Sequence, residues 1–187
     1  MQLQQSFITS PVRPAPAISL IGMAGAGKST VGKILARELN WTFMDSDCLI
    51  EATYGARLQD ITDALGKTVF LDVEAKIVSA IRIHRAVIAT GGSVVYREES
   101  MRHLSSLGPI IFLDVPFPLI EERVARNPER GIAMAPGESL KDLFCERYDL
   151  YLRYADIRCP AGEDFTPQMC ARWIIDNLPQ EIRGDAP

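Results

Sequence analysis

The sequence predicts an α/β fold of three layers, with a parallel sheet between two sets of helices. Two observations carry this. Five short apolar runs alternate with amphipathic helical stretches along a chain of 187 residues, and strands linked through helices run parallel and are buried on both faces. The turn after the first run is rich in glycine and leads straight into a helix. In such sheets ligands bind beyond the carboxyl ends of the strands.

The strand candidates are Ala17–Ile21, Trp41–Asp45, Ala86–Thr90, Ile110–Val115 and Ile157–Cys159, each brief, apolar and followed by polar residues or glycine. Between them, apolar residues recur at helical spacing. Val31, Ile34, Leu35 and Leu39 form one stripe, and Val73, Ile77, Ala80 and Ile81 a second. Leu140, Leu143, Phe144 and Tyr151 form a third, on a longer helix. Thr166-Pro167 reads as an N-cap followed by proline at the first helical position, opening the last helix. With no internal repeat and no linker, residues 17–178 form a single domain. Residues 1–16, with Gln2, Gln4, Gln5 and three prolines, read as a flexible N-terminal tail, and 179–187 as a flexible C-terminal one.

Net charge is −4, which gives no support for a nucleic-acid or membrane surface. No apolar run reaches the ~18 residues of a spanning helix. Cys48, Cys145, Cys159 and Cys170 form no metal-binding spacing and are expected to be free thiols in a reducing cytoplasm. The chain is expected to be a monomer.

Residues 22–30 read Gly-Met-Ala-Gly-Ala-Gly-Lys-Ser-Thr, the phosphate-binding loop pattern, in its required place between a strand and a helix. Gly22, Gly25, Ala26 and Gly27 would turn successive backbone N–H groups toward an anion, and the helix N-terminus adds partial positive charge. Lys28 would reach the β- and γ-phosphates, Ser29 would bind Mg²⁺, and Thr30 would touch the α-phosphate side. The pattern specifies a nucleoside triphosphate such as ATP and leaves the acceptor of its phosphate open.

Asp45 ends the second strand and Asp47 follows two residues on. In an extended chain both carboxylates would point the same way, one toward Mg²⁺, the other toward an acceptor hydroxyl. A helix cap is the commoner use of such a pair. Asp114, at the end of Ile110-Ile111-Phe112-Leu113, is a rival for the metal, and strand pattern alone does not choose between it and Asp45. Thr90-Gly91-Gly92-Ser93 permits close approach of backbone to a ligand, or is a plain tight turn.

Together these motifs resemble the shikimate kinase family over residues 17–178. The resemblance runs through Gly22–Gly32, Phe43-Met-Asp45-Ser-Asp47, Ile50-Glu51, Gly66, Phe70 and Glu74. It continues through Thr90-Gly91-Gly92, Leu113-Asp114, Arg123, Arg130, Glu146-Arg147, Tyr151 and Ala155-Asp156. It implies a nucleoside-monophosphate-kinase-like P-loop fold with a five-stranded parallel sheet and a mobile lid, here roughly Asn127 to Glu138. It implies that Asp45 rather than Asp114 helps hold Mg²⁺, and that Asp47 binds the acceptor hydroxyls and acts as base or orienting group. Gly91 and Gly92 would contact the small-molecule substrate through backbone. Arg123 would lie near the adenine, Arg130 would be a catalytic lid arginine on the phosphates, and Arg147 would pair with the substrate carboxylate. Each arginine also has a plainer reading as a solvated surface residue.

Three positions depart from the family pattern. Leu71 stands where an arginine would grip the carboxylate, Ser93 replaces a third glycine, and the lid reads Arg130-Gly131-Ile132-Ala133. Phosphoryl transfer is therefore expected to be intact, while the acceptor stays open. It is shikimate, with some substitute for Leu71, or another small polyol or hydroxy-acid. A nucleotide-binding regulatory protein without turnover is the further alternative, and Lys28, Asp47 and Arg130 argue against it.

Overall fold

The computed structural model describes residues 16–126, 132–134 and 137–183. The elements run β1 (Ile18–Ile21), α1 (Lys28–Glu38), β2 (Thr42–Asp45), α2 (Ser46–Tyr54), α3 (Leu58–Ser79) and β3 (Ala86–Ala89). They continue with α4 (Glu98–Leu107), β4 (Ile110–Asp114), α5 (Phe117–Ala125), α6 (Leu140–Tyr154), β5 (Ile157–Pro160), α7 (Pro167–Asn177) and α8 (Gln180–Arg183). A 3-10 turn, Val94–Tyr96, follows β3.

All five strands join one parallel sheet in the order β2-β3-β1-β4-β5. Every residue of β1 and β3 is buried, as expected of strands covered on both faces. On one side α1 and α7 pack together over β2, β3 and β5. The other packing group joins α3 to α4, and α6 to β4, around the 3-10 turn. The approach of α1 to the sheet needs Gly32, where a Cβ would stand 2.7 Å from the Phe43 ring on β2. Ile18, Leu20, Ile88, Ile111, Leu35 and Ile174 are among the fully buried residues of the main core.

The strand candidates lie where the sequence places them, shortened at their ends: Ala17, Trp41, Thr90 and Val115 fall outside the strands, and β5 extends to Pro160. The α1 and α6 stripes face inward, and Thr166 caps α7 by accepting from the Met169 N–H at 3.2 Å.

The second stripe lies at the edge of the buried face. After the break at Gly66 (φ 71°, ψ 163°) the buried residues of α3 are Phe70, Leu71, Glu74, Ala75 and Val78. Of the stripe, Ile81 is buried, Val73 and Ile77 are half-buried and Ala80 is an exposed cap. In the segment read as a C-terminal tail, α8 is tied back by Arg183, which donates to the Leu178 and Asp176 carbonyls at 2.7 Å each.

Candidate active site

The glycine-rich loop between β1 and α1 is shaped by backbone that only glycine adopts without strain. Gly27, the residue before α1, has φ 91°, and at Gly22 (φ 140°) a Cβ would press on the Leu113 carbonyl at 2.9 Å. The N–H groups of the first turn of α1 open from this loop. Lys28 is buried, and its Nζ donates to the Gly22 and Met23 carbonyls at 2.6 and 2.9 Å. The ammonium is thus held inside the loop that would receive phosphates.

Ser29 Oγ donates to Asp45 Oδ2 at 2.6 Å. A hydroxyl and a carboxylate oxygen side by side at a phosphate loop are the hard donors Mg²⁺ takes, so these residues fit the metal. Asp114 does not join them: its Oδ2 accepts from Arg158 at 2.6 Å and from the Tyr148 hydroxyl at 3.4 Å. Of the two rivals, Asp45 is the one that Ser29 faces.

The chain does not stay extended from Asp45 to Asp47. Asp45 is the N-cap of α2, its Oδ1 accepting from the Asp47 N–H at 3.0 Å. Asp47 therefore projects from the first helical turn, on the side of Gly91. One carboxylate thus does both jobs, capping α2 with one oxygen and meeting Ser29 with the other.

Two cavities flank the loop. The larger, about 280 Å³, is walled by Gly25, Ala26, Gly27 and Thr30 on one side and by Arg123, Phe165, Pro167 and Cys170 on the other. Arg123 also donates to the Gly25 carbonyl at 3.3 Å. The smaller is walled by Ala24, Asp47, Gly91, Gly92 and Arg147, with Leu58, Phe70, Ser93, Ile132 and Ala133. Its volume, about 20 Å³, is room for about one water, because Ile132 and Ala133 close over it.

Within the smaller pocket Gly91 N–H donates to Ser46 Oγ at 3.2 Å, and the Gly92 carbonyl accepts from the Tyr151 hydroxyl at 2.6 Å. Arg147 is 1% exposed. It donates to the Tyr96 hydroxyl at 3.2 Å and to the Ala133 carbonyl at 2.9 Å, both neutral groups. A buried guanidinium among neutral partners favours an anion. The nearby Glu74 carries less than a full negative charge at neutral pH. Burial lifts its carboxyl from an ordinary 4.5 to about 7, against the pull of the Ser93 hydroxyl that donates to it at 2.7 Å.

Of the residues singled out in the sequence, the structure brings Lys28, Ser29 and Asp45 together at the loop. It places Thr30 and Arg123 on the larger cavity and Asp47, Gly91, Gly92 and Arg147 on the smaller. Arg130 lies outside the described residues. Leu71 is buried but does not line the smaller pocket; Phe70 does.

A family model described as shikimate kinase matches residues 24–179. The chain belongs to the shikimate kinase family. Shikimate kinase of Rippkaea orientalis is 37% identical over 169 residues, covering 89% of each chain. That of Synechococcus elongatus is 32% identical over 170 residues, covering 89% of this chain and 88% of the relative. Among solved structures, shikimate kinase from Acinetobacter baumannii in complex with shikimate is similar with a TM-score of 0.78 and 30% identity. It covers 86% of this chain and 91% of its own. As a shikimate kinase family member the chain is an ATP-dependent phosphotransferase acting on a hydroxyl group.

Sequence reasoning gave no role to Glu74, Tyr96, Ser46 or Tyr151. Glu74 carried a signal: an acid four residues from both Phe70 and Val78, on the buried register of α3. Arg147 carries the same signal on α6, midway between Leu143 and Tyr151.

Proposed function

We propose that this kinase transfers the γ-phosphoryl group of ATP to a hydroxyl of shikimate. One observation carries the reading: Ala24 and Gly25, consecutive residues of the phosphate loop, wall two different cavities. A triphosphate on one side and an acceptor on the other would meet across that loop, which is the arrangement an in-line transfer needs.

In this reading Lys28 and the N–H groups of the loop bind and orient the phosphates. Ser29 and Asp45 hold Mg²⁺, which when bound draws charge from the transferring phosphoryl group. Asp47 orients the nucleophilic hydroxyl and is placed to accept its proton. The bond from that oxygen to phosphorus forms as the bond to the ADP oxygen breaks. Arg123 sits beside the adenine, and Arg130 is assigned to the phosphates from the family resemblance. Gly91 and Gly92 let the acceptor approach the backbone, and Arg147 pairs with its carboxylate. The Arg147 guanidinium, whose hydrogen bonds go to the neutral Tyr96 hydroxyl and Ala133 carbonyl, favours an acidic acceptor over an uncharged polyol. The ~20 Å³ pocket means Ile132 and Ala133 withdraw to admit it and return to exclude water. No helix among the described residues is long and apolar enough to cross a membrane, and we place the enzyme in the cytoplasm as a monomer.

The test is coupled ADP release from Mg-ATP with and without shikimate. Saturable release that depends on shikimate is expected, with a kcat on the order of 10 s⁻¹. Slow ADP release indifferent to shikimate, from protein that binds ATP, would reject this acceptor.

A further inference from the structure

Arg147 is one cation at the acceptor pocket, and position 71, where family resemblance puts a second, is a leucine. Lys67 stands one turn earlier on the same half of α3, and residues four apart share a helix face. Its ammonium lies 5.4 Å from the centroid of the Tyr96 ring. The Arg147 guanidinium lies 5.1 Å from the same centroid and bonds the Tyr96 hydroxyl. Two cations from different helices therefore share one aromatic ring, and one of them lines the pocket.

Lys67 already grips a carboxylate. Its Nζ is 3.0 Å from Glu138 Oε2, with the side chains 24% and 14% exposed. Glu138 lies a few residues after Ala133, which covers the pocket and accepts from Arg147. Ile132 and Ala133, which must withdraw for an acceptor to enter, thus stand close in sequence to the residue that holds Lys67. Withdrawal frees an ammonium on a flexible four-carbon stem beside Arg147.

We infer that Lys67 is the second cation of the acceptor-anion subsite, in place of the arginine missing at position 71. It sets the preference for a carboxylate-bearing acceptor, and Glu138 occupies it while the pocket is closed. This rests on the reading of shikimate as acceptor.

The experiment compares shikimate with its uncharged methyl ester in the wild type, Lys67→Met and Glu138→Gln. Lys67→Met keeps the apolar stem and removes the charge; Glu138→Gln breaks the clasp and leaves Lys67 charged. The expected result for Lys67→Met is a shikimate KM raised ~10-fold or more, with the KM values for ester and ATP nearly unchanged. The preference for acid over ester then collapses. Lys67→Arg restores it, and Glu138→Gln retains it. Should Lys67→Met fail to fold, Lys67→Gln reads the same loss. An unchanged preference in the Lys67 variants, or an equal loss in Glu138→Gln, would overturn the inference and leave the pair as a structural clasp. A wild type that turns over acid and ester alike rejects Lys67 while keeping the kinase assignment. A wild type that turns over neither rejects the acceptor, and the Lys67 role with it.

Discussion

Adding a single methyl group at Gly91 should disable the acceptor side of the enzyme while sparing the nucleotide side. Gly91 carries no special backbone conformation, so the effect of Gly91→Ala is purely one of space. The new Cβ would overlap Glu74 Oε1 outright and stand 2.8 Å from Asp47 Oδ1, where ordinary contact begins near 3.4 Å. Glu74 is 1% exposed and tied to Ser93 at 2.7 Å, so it has little room to retreat. Overpacking of this kind costs about 1–3 kcal/mol, and each kcal/mol lowers Tm by about 2–4 °C in a chain of this length. The catalytic loss is larger in proportion: moving a reacting group by roughly 1 Å costs about 10²-fold in rate. Steady-state ADP release should show kcat reduced by that order with KM for ATP little changed, and a thermal melt should show the lower Tm. In a Glu74→Ala background the closer overlap is gone, so Gly91→Ala should cost less there than in the wild type. Wild-type kcat and Tm in the single variant, or strict additivity in the double, would refute the reasoning.

Asp47→Asn should bind ATP within about two-fold of the wild type and lose 10²–10⁴-fold in kcat, roughly the scale of general-base contributions; near-normal turnover would remove Asp47 from the reaction. Folding raises the Glu74 carboxyl from 4.5 to about 7, so the folded chain holds a proton that the unfolded chain releases. The stability this gives is full below pH 4.5 and lost as pH rises through 7. Glu74→Gln should flatten that decline in urea denaturation, and an unaltered slope would reject the assignment. Thr166→Ala removes the cap of α7 and should cost about 1 kcal/mol, read as a Tm lower by about 2–4 °C without loss of kcat at 25 °C (about room temperature); an unmoved Tm would show the cap to be idle.

The phosphate loop was legible because its function is local: Gly22 to Thr30 bind with their own backbone and side chains, flanked by the strand and helix that place them. The strands were legible because β1, β3 and β4 are nearly continuous apolar runs. Of the two readings of Asp45 and Asp47, the structure takes the helix cap: the chain turns into α2 at Ser46, and Asp45 both caps that helix and faces Ser29. The break in α3 had a visible cause in Gly66, but one glycine does not declare whether it bends a helix or ends it. Lys67, Tyr96 and Arg147 come from α3, the turn after β3, and α6. No spacing in the sequence relates them, because only tertiary packing brings them to one ring.

The strand order has a consequence for how the molecule is made. β1 lies at the centre of the sheet, and Ser19 pairs with Ile88 on one side and Ile110 on the other. The central strand is therefore synthesised first and gains its second neighbour only when β4 is made. Its partners lie far along the chain, and contacts so distant in sequence form slowly. Until β4 arrives, the Leu113 carbonyl against which Gly22 turns is missing, and so is one wall of the phosphate loop. A nascent or truncated chain ending before Asp114 carries the whole nucleotide motif in its sequence and none of its shape. Its apolar β1 stays open to wrong partners for that interval, and the window for misassembly is set by translation speed rather than by the stability of the finished fold.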